Sequence, residues 1–230
     1  MSVTTDSWMQ DVSLAVPGAP KDQITNSIIK TIRDFCQSTL LWVKKLDLID
    51  VIAGTEIYTL TCPLSLYERI NHEPPPGHPQ ASVVNIDRAE FQGVPMGPES
   101  MDVLDRSPIA WRQQTGSSSN AYMVDPEKVL RLRYIPTDNI TGALAIWAAL
   151  KPVIGAVVIP DFLYDEWYDC IRNGTIADLF QIPRQSFTNI QEAEYFISQY
   201  HEDLSKAKGQ KVTGKAKVKT RVQPSPFDVT

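Results

Sequence analysis

Cysteine is scarce in this 230-residue chain: Cys36, Cys62 and Cys170 are odd in number and far apart. Neither a disulfide framework nor a zinc site has support, and the three read as buried thiols. Long apolar runs are also missing. No stretch approaches the roughly 18 apolar residues needed to cross a bilayer. The N-terminus carries Asp6 and Asp11 where a secretory leader has a basic segment followed by an apolar one. The expectation is a soluble protein made in the cytoplasm, with no membrane partner. No glycine pattern resembles a phosphate-binding loop, Ser117-Ser118-Ser119 lacks the frame of a nucleophile elbow, and no internal repeat is visible.

What the chain does have is an apolar fraction of 43%, enough for a substantial core, and an uneven charge. The net charge is −5, yet residues 206–230 hold seven Lys/Arg and one acid, Asp228, for +6, which leaves residues 1–205 at −11. An acidic body with a basic tail places the search for a partner on the tail.

That tail follows the most regular stretch of the chain. Ile190, Ala193, Ile197, Tyr200, Leu204 and Ala207 recur at spacings of three and four, one stripe down a helix. Leu163, Trp167, Ile171, Gly174 and Ala177 draw a matching stripe, and Ile182-Pro183-Arg184 separates the two, which predicts an antiparallel helix pair over 161–209. Asp161 is placed to cap the first helix, Thr188 with Gln191 to form a capping box for the second, and Gly209 to stop it. Gly174 inside a helix points to a close helix crossing.

Upstream, the first ~20 residues show no sustained period and end in the loop Pro17-Gly18-Ala19-Pro20. From Asp22, Ile24, Ile28, Ile32, Phe35 and Cys36 share a helix face that ends near Thr39 to Trp42. Residues 46–60 read as a β-hairpin turning at Ala53-Gly54. Pro74-Pro75-Pro76-Gly77 makes a stiff surface loop, Val83 to Asp87 a short strand, Phe91 to Pro95 a turn and Gly116 to Asn120 a flexible loop. In Lys128 to Ile135, Leu130, Leu132 and Tyr134 alternate with Arg131 and Arg133, so one face goes inward and one is charged. Gly142 to Leu150 is a strand apolar on both faces, which suits a central strand or one covered by another subunit.

The expected fold is therefore α+β: a helical bundle, made of the N-terminal helix and the C-terminal antiparallel helix pair, with an inserted antiparallel β region and an extended C-terminal arm. The divisions are 1–45 for the N-terminal segment and first bundle helix, 46–160 for the β-rich insertion, 161–209 for the helix pair and 210–230 for the basic arm. Bundle packing falls to Ile24, Ile28, Phe35, Trp167, Ile171, Ile197 and Tyr200.

Catalytic chemistry finds little footing. His72-Glu73 and His78 could ligate a metal, but the intervening prolines make the geometry loose and a surface loop accounts for them. Asp161, Asp165 and Asp169 lie on one helix face beside Glu166, where a hydrolase could use paired carboxylates; a solvated face favoured by the helix dipole is much the better account of them. Trp42, Trp167 and Tyr200 read as core or subunit-interface residues rather than a base-stacking platform. No catalytic, cofactor or metal site is expected. The spacing of Lys215, Lys217 and Lys219 would serve contact with phosphates, and a solvated tail would look the same.

Two sets of residues carry a resemblance. Pro17-Gly18-Ala19-Pro20, Ile24, Ile28, Ile29, Asp34-Phe35-Cys36 and Trp42 form the first. Ile159-Pro160-Asp161-Phe162, Tyr164, Glu166, Ile171, Gly174, Ala177, Leu179, Phe180, Ala193, Tyr195, Phe196 and Tyr200 form the second. Together, over about half the chain, they resemble the head-to-tail adaptor proteins of tailed bacteriophages, of the podovirus type. The resemblance implies a structural virion protein of the neck and no enzyme. Copies would form a homo-oligomeric ring, a dodecamer, between the portal ring and the tail or nozzle proteins, with DNA only as passing cargo. It also implies that the C-terminal arm grips the portal, which would give the docking role to Lys211, Lys215, Lys217, Lys219, Arg221 and Phe227. Such an arm cannot fold alone, since apolar burial must offset roughly 1–2 kcal/mol of backbone entropy per residue. The competing expectation is a nucleic-acid-binding protein that uses the same tail on phosphates.

Overall fold

The computed structural model describes residues 2–60, 62, 81–100, 102, 105–106, 111–117, 119, 121–124, 129–156 and 158–213. The longest strand, β11 (Ile140–Pro152), is the axis of the molecule. Leu144, Ile146, Ala148 and Leu150 on one of its faces are fully buried, and Ala143, Ala145 and Ala149 on the other are nearly so. A strand apolar on both sides is stable only with a neighbour on each edge and a cover on each face.

Both edges of β11 are taken. β2 (Val43–Lys45) and β3 (Ile49–Val51) pair with one, and β5 (Ala81–Phe91) pairs antiparallel with the other, with register shifts beside Ala148 and Leu150. β5 turns through Gln92 and Gly93, both at positive φ, into β6 (Val94–Pro98), the twist that a two-residue hairpin loop requires. The sheet then continues through β8 (Ala121–Val124), parallel to β6, to β9 (Val129–Leu132) and β4 (Ile57–Thr59). This makes an eight-stranded mixed sheet, in the order β2-β11-β5-β6-β8-β9-β4 with β3 also on β11. It is curled into a half-barrel. Two small pairings flank it: β1 (Ser2–Thr4) with β12 (Val158–Pro160), and β7 (Thr115–Gly116) with β10 (Ile135–Pro136).

The helices described are α1 (Asp6–Ala15), α2 (Lys21–Thr39), α3 (Asp161–Phe180) and α4 (Ile190–Thr213). α2 lies on β11, tied by Arg33 Nη1 to the carbonyl of Pro152 at 2.6 Å and by Lys151 Nζ to Gln37 Oε1 at 2.8 Å. A single core cluster runs from Trp8 through the strands to Ala207.

The expected helical bundle with a β insertion is thus corrected. The half-barrel dominates the fold; α2 packs on β11, while the other helices pack mainly on one another and on the small β1–β12 pair. Most strands are three to five residues long, too short for their alternation to announce one continuous sheet. The hairpin expected over 46–60 is corrected too: β3 and β4 exist, but β3 pairs with β11 and β4 with β9.

Several helix ends also differ from expectation. Asp161 is the first helical residue, with Pro160 at the N-cap. Asn189, not Thr188, caps α4, its Oδ1 accepting from the Glu192 amide at 3.3 Å, while Thr188 Oγ1 donates to the Ile182 carbonyl. Gly209 does not stop α4, which runs on to Thr213. The first residues are more ordered than their sequence suggests, since they form β1 and α1. Trp8, Val12 and Val16 are wholly buried at spacings of four, a pattern obscured by Leu14, which is 74% exposed.

Candidate functional site

α4 carries the chain from the core to its basic tail, and its seat is defined by one glycine. A Cβ added at Gly174 of α3 would lie 2.6 Å from Thr31 Cγ2 of α2 and 2.8 Å from Tyr200 Cδ2 of α4. Three helices therefore meet where only a hydrogen fits, as the sequence predicts for a close crossing. Tyr200 is buried, and its hydroxyl donates to Asp34 Oδ2 at 2.7 Å. Burial first, and then that hydrogen bond to a carboxylate, push the phenol far above its ordinary pKa. Alongside, Ser27 donates to Asp178 Oδ2 at 2.7 Å, and Lys30 pairs with Asp178.

The far end of α4 is pinned to the sheet. Lys211 Nζ lies 2.6 Å from Asp87 Oδ1 on β5, so this lysine is the last turn of a docked helix rather than the start of a loose arm. Lys215, Lys217, Lys219, Arg221 and Phe227 lie outside the described residues. Of the packing residues, Ile24, Ile28, Phe35, Ile171 and Tyr200 are buried together, while Trp167 and Ile197 are half-buried. Trp167 packs on Phe35 with ring centroids 5.4 Å apart and has non-helical torsions, φ −126° and ψ 20°, that interrupt α3.

Beside this break lies a cleft of about 200 Å³. Trp42, Lys44, Phe162, Glu166, Trp167 and Gln210 are among its lining residues, so it joins the approach to β2, the first turns of α3 and the end of α4. Trp42 is 3% exposed, and its indole N–H has no acceptor among the described residues. Three apolar rings with a cation, a carboxylate and an amide at the rim suit an aromatic side chain carried on a polar chain.

The carboxylates weighed for catalysis fall on the same helix. Asp165, Glu166 and Asp169 are exposed on α3, and Asp161 is half-buried at its start. Their exposure agrees with a solvated face. His72, Glu73 and His78 lie outside the described residues. Among the described residues no group of three or more His, Cys, Asp or Glu side chains could hold a metal ion, and no helix is long and apolar enough to cross a membrane. Cys36 and Cys170 are buried and Cys62 half-buried, and all three are free. Burial raises each thiol, Cys170 to about 12 and Cys62 to about 11, and Cys36 further still.

Two features went unread in the sequence. Trp8 stacks on Tyr168 at 6.1 Å and meets Tyr164 edge-on at 5.1 Å, and Tyr168 donates to Asp11 Oδ2 at 2.6 Å. The spacing Trp8–Val12–Val16 is the signal that could have found it. On the sheet, Trp147 of β11 stands opposite Lys45 of β2 and Arg88 of β5, whose cationic groups lie 5.0 and 4.9 Å from its ring. Only strand register brings those three together, and no spacing in the sequence reports register. The strand expected over Lys128 to Ile135 is shorter, ending at Leu132: Leu130 and Leu132 are buried and Arg131 pairs with Glu56 at 2.7 Å, while Arg133, just past its end, pairs with Glu99 at 3.0 Å and Tyr134 is half-buried.

No protein-family model matches the chain, and no curated protein is significantly similar to it.

Proposed function

We propose that this chain is a structural protein, a head-to-tail adaptor of a tailed bacteriophage. Copies form a ring that joins the portal to the tail and leaves a channel for DNA. The observation that carries the proposal is the convergence of Asp34, Gly174 and Tyr200. They come from the two sets of residues behind the resemblance, and they belong to one three-helix junction from which α4 leads to the basic tail. The body that presents this junction is the curled sheet rather than a helical bundle. Its partners are the portal ring through residues 214–230, other copies of itself within the ring, and the tail or nozzle proteins. An acidic body suits a passage for DNA, because like charge discourages adhesion.

The test is sedimentation of the full chain alone and with a portal ring, beside a chain ending at Thr213. The truncation belongs there because Lys211 is part of the folded body. The full chain should form a ring, alone or on the portal, and the shortened chain should stay folded yet lose the portal. Equal portal binding by the two would overturn the arm assignment.

A second reading is sequence-independent contact with nucleic acid, favoured by the Lys45–Trp147–Arg88 ladder together with the basic tail. It requires DNA retardation that weakens steeply with salt, in the absence of any portal.

A further inference from the structure

We propose that Tyr195 of one copy of this chain seats in the cleft between Trp42 and Trp167 of another, a knob-into-cleft contact that repeats head to tail. It names the surfaces through which copies meet, and only its closure into a ring rests on the adaptor reading.

The cleft sets the size of its occupant. At about 200 Å³ it is smaller than the roughly 300–1,000 Å³ of small-molecule sites, and Trp42, Phe162 and Trp167 are among its walls. Such a space fits one large side chain, and aromatic walls favour an aromatic one. Among the described residues, the exposed large apolar side chains are Leu, Ile and Val with one exception, Tyr195, which is 62% exposed. Its ring lies edge-on to Phe196 at 5.4 Å, and Phe196 packs on Phe180 at 6.1 Å. The knob is therefore already held and loses little freedom on docking.

One copy cannot satisfy itself. Tyr195 precedes Gln210, which lines the cleft, by fifteen residues of α4, about 22 Å along the helix. Knob and cleft lie toward opposite ends of one helix, so only a second copy brings them together. Because the two surfaces differ, the contact is heterologous, the kind that closes into a ring or runs on as a filament.

Charge favours the same pairing. Residues 185–205, around the knob, hold Glu192, Glu194, Glu202 and Asp203 and no Lys or Arg. The segments behind two of the cleft walls, 41–45 and 206–213, hold five lysines and no acid. Lys206 and Lys211 of these are paired within the chain, whereas Lys44, on the cleft itself, and Lys208 are exposed, as are Glu192 and Glu194. On the third wall Glu166 already has a partner.

The experiment is sedimentation velocity on the full chain without a portal, at low salt, where charge pairing is least screened. The wild type should grow beyond one chain as concentration rises. Association should weaken about tenfold or more in Tyr195→Ala, which lacks the knob, and in Lys44→Glu/Lys208→Glu, whose rim repels it. All three positions are exposed, so both variants should keep the wild-type circular dichroism and melting temperature. At a concentration where neither variant associates alone, an equimolar mixture should form a dimer and nothing larger. The intact cleft of the first takes the intact knob of the second, and no further joint remains. A wild type that stays monomeric, a Tyr195→Ala that associates like wild type, or a mixture that forms no dimer would each overturn the proposal. None of these outcomes bears on portal binding by the tail, so failure here is separate from failure of the adaptor reading.

Discussion

Gly174 and Tyr200 approach so closely that a methyl group on the glycine would fall 2.8 Å from the tyrosine ring, with Thr31 at 2.6 Å on the other side. Gly174→Ala therefore sets two effects against each other. Helix propensity favours alanine by ~1 kcal/mol. Overpacking costs about 1–3 kcal/mol, and here the upper part of that range applies, because Thr31 and Tyr200 are both buried and neither is a flexible chain end. The expected net is a loss of roughly 1–2 kcal/mol, or about 2–8 °C in melting temperature for a chain of this size. A melting temperature equal to or above wild type would show that the crossing can open without cost.

Tyr200 also makes the fold sensitive to alkali. Its folded pKa is raised above the ordinary 10, so the native state holds the proton more tightly than the unfolded chain does. The stabilisation is complete below pH 10 and is lost as pH climbs above it. Cys36 and Cys170 act in the same sense from pH 9 upward. Denaturant midpoints should therefore fall progressively above about pH 9. In Tyr200→Phe the hydrogen bond to Asp34 is gone, which lowers stability at pH 7 by roughly 1 kcal/mol, and the decline above pH 10 becomes shallower. An unchanged alkaline slope would mean that Tyr200 titrates normally.

Three of the four described helices, α2, α3 and α4, were legible in the sequence because each displays its period over many turns, whereas α1 was not. Ile24, Ile28 and Phe35 mark α2 plainly, Ile171 and Gly174 mark α3, and all five are buried where the spacing placed them. The sheet was not legible as a whole. Strand pairing is a non-local property, and Ile49–Val51 and Ile57–Thr59 offer nothing that says they belong to β11 and β9 rather than to each other. β11 itself was visible as apolar on both faces, but its role as the axis depends on partners about fifty to a hundred residues distant in the chain. Of the candidate site, the glycine crossing could be read. The cleft beside Trp42 could not, because its walls come from the lead to β2, from α3 and from α4.

The thiols should report burial. Cys62 is half-buried with its pKa raised to about 11, first by burial and then by the charge of Asp47, whereas Cys36 and Cys170 are almost wholly enclosed. A thiol reagent at pH 8 should label one cysteine slowly in the native protein and all three only after unfolding, since the thiolate is the reactive form. Mass spectrometry of the labelled peptides should place the single native label on Cys62. Rapid native labelling of Cys36 or Cys170 would contradict the packing of α2 and α3.

Trp8 provides the sharpest test of the N-terminal segment, because its two halves contribute unequally. The ring is fully buried between Tyr164 and Tyr168, yet its indole N–H has no acceptor among the described residues. Trp8→Ala removes the whole contact and leaves a cavity between α1 and α3, at a cost of about 3–5 kcal/mol. Trp8→Phe retains most of the aromatic packing and deletes only a donor that makes no hydrogen bond, so its cost should stay near 1 kcal/mol. The Asp11–Tyr168 hydrogen bond depends on the same docking of α1. In Trp8→Ala, amide exchange should therefore accelerate along residues 6–15 before it does in α2. Equal destabilisation by the two substitutions would show that the N–H has a partner after all, and it would move the source of α1 docking from ring packing to a polar contact.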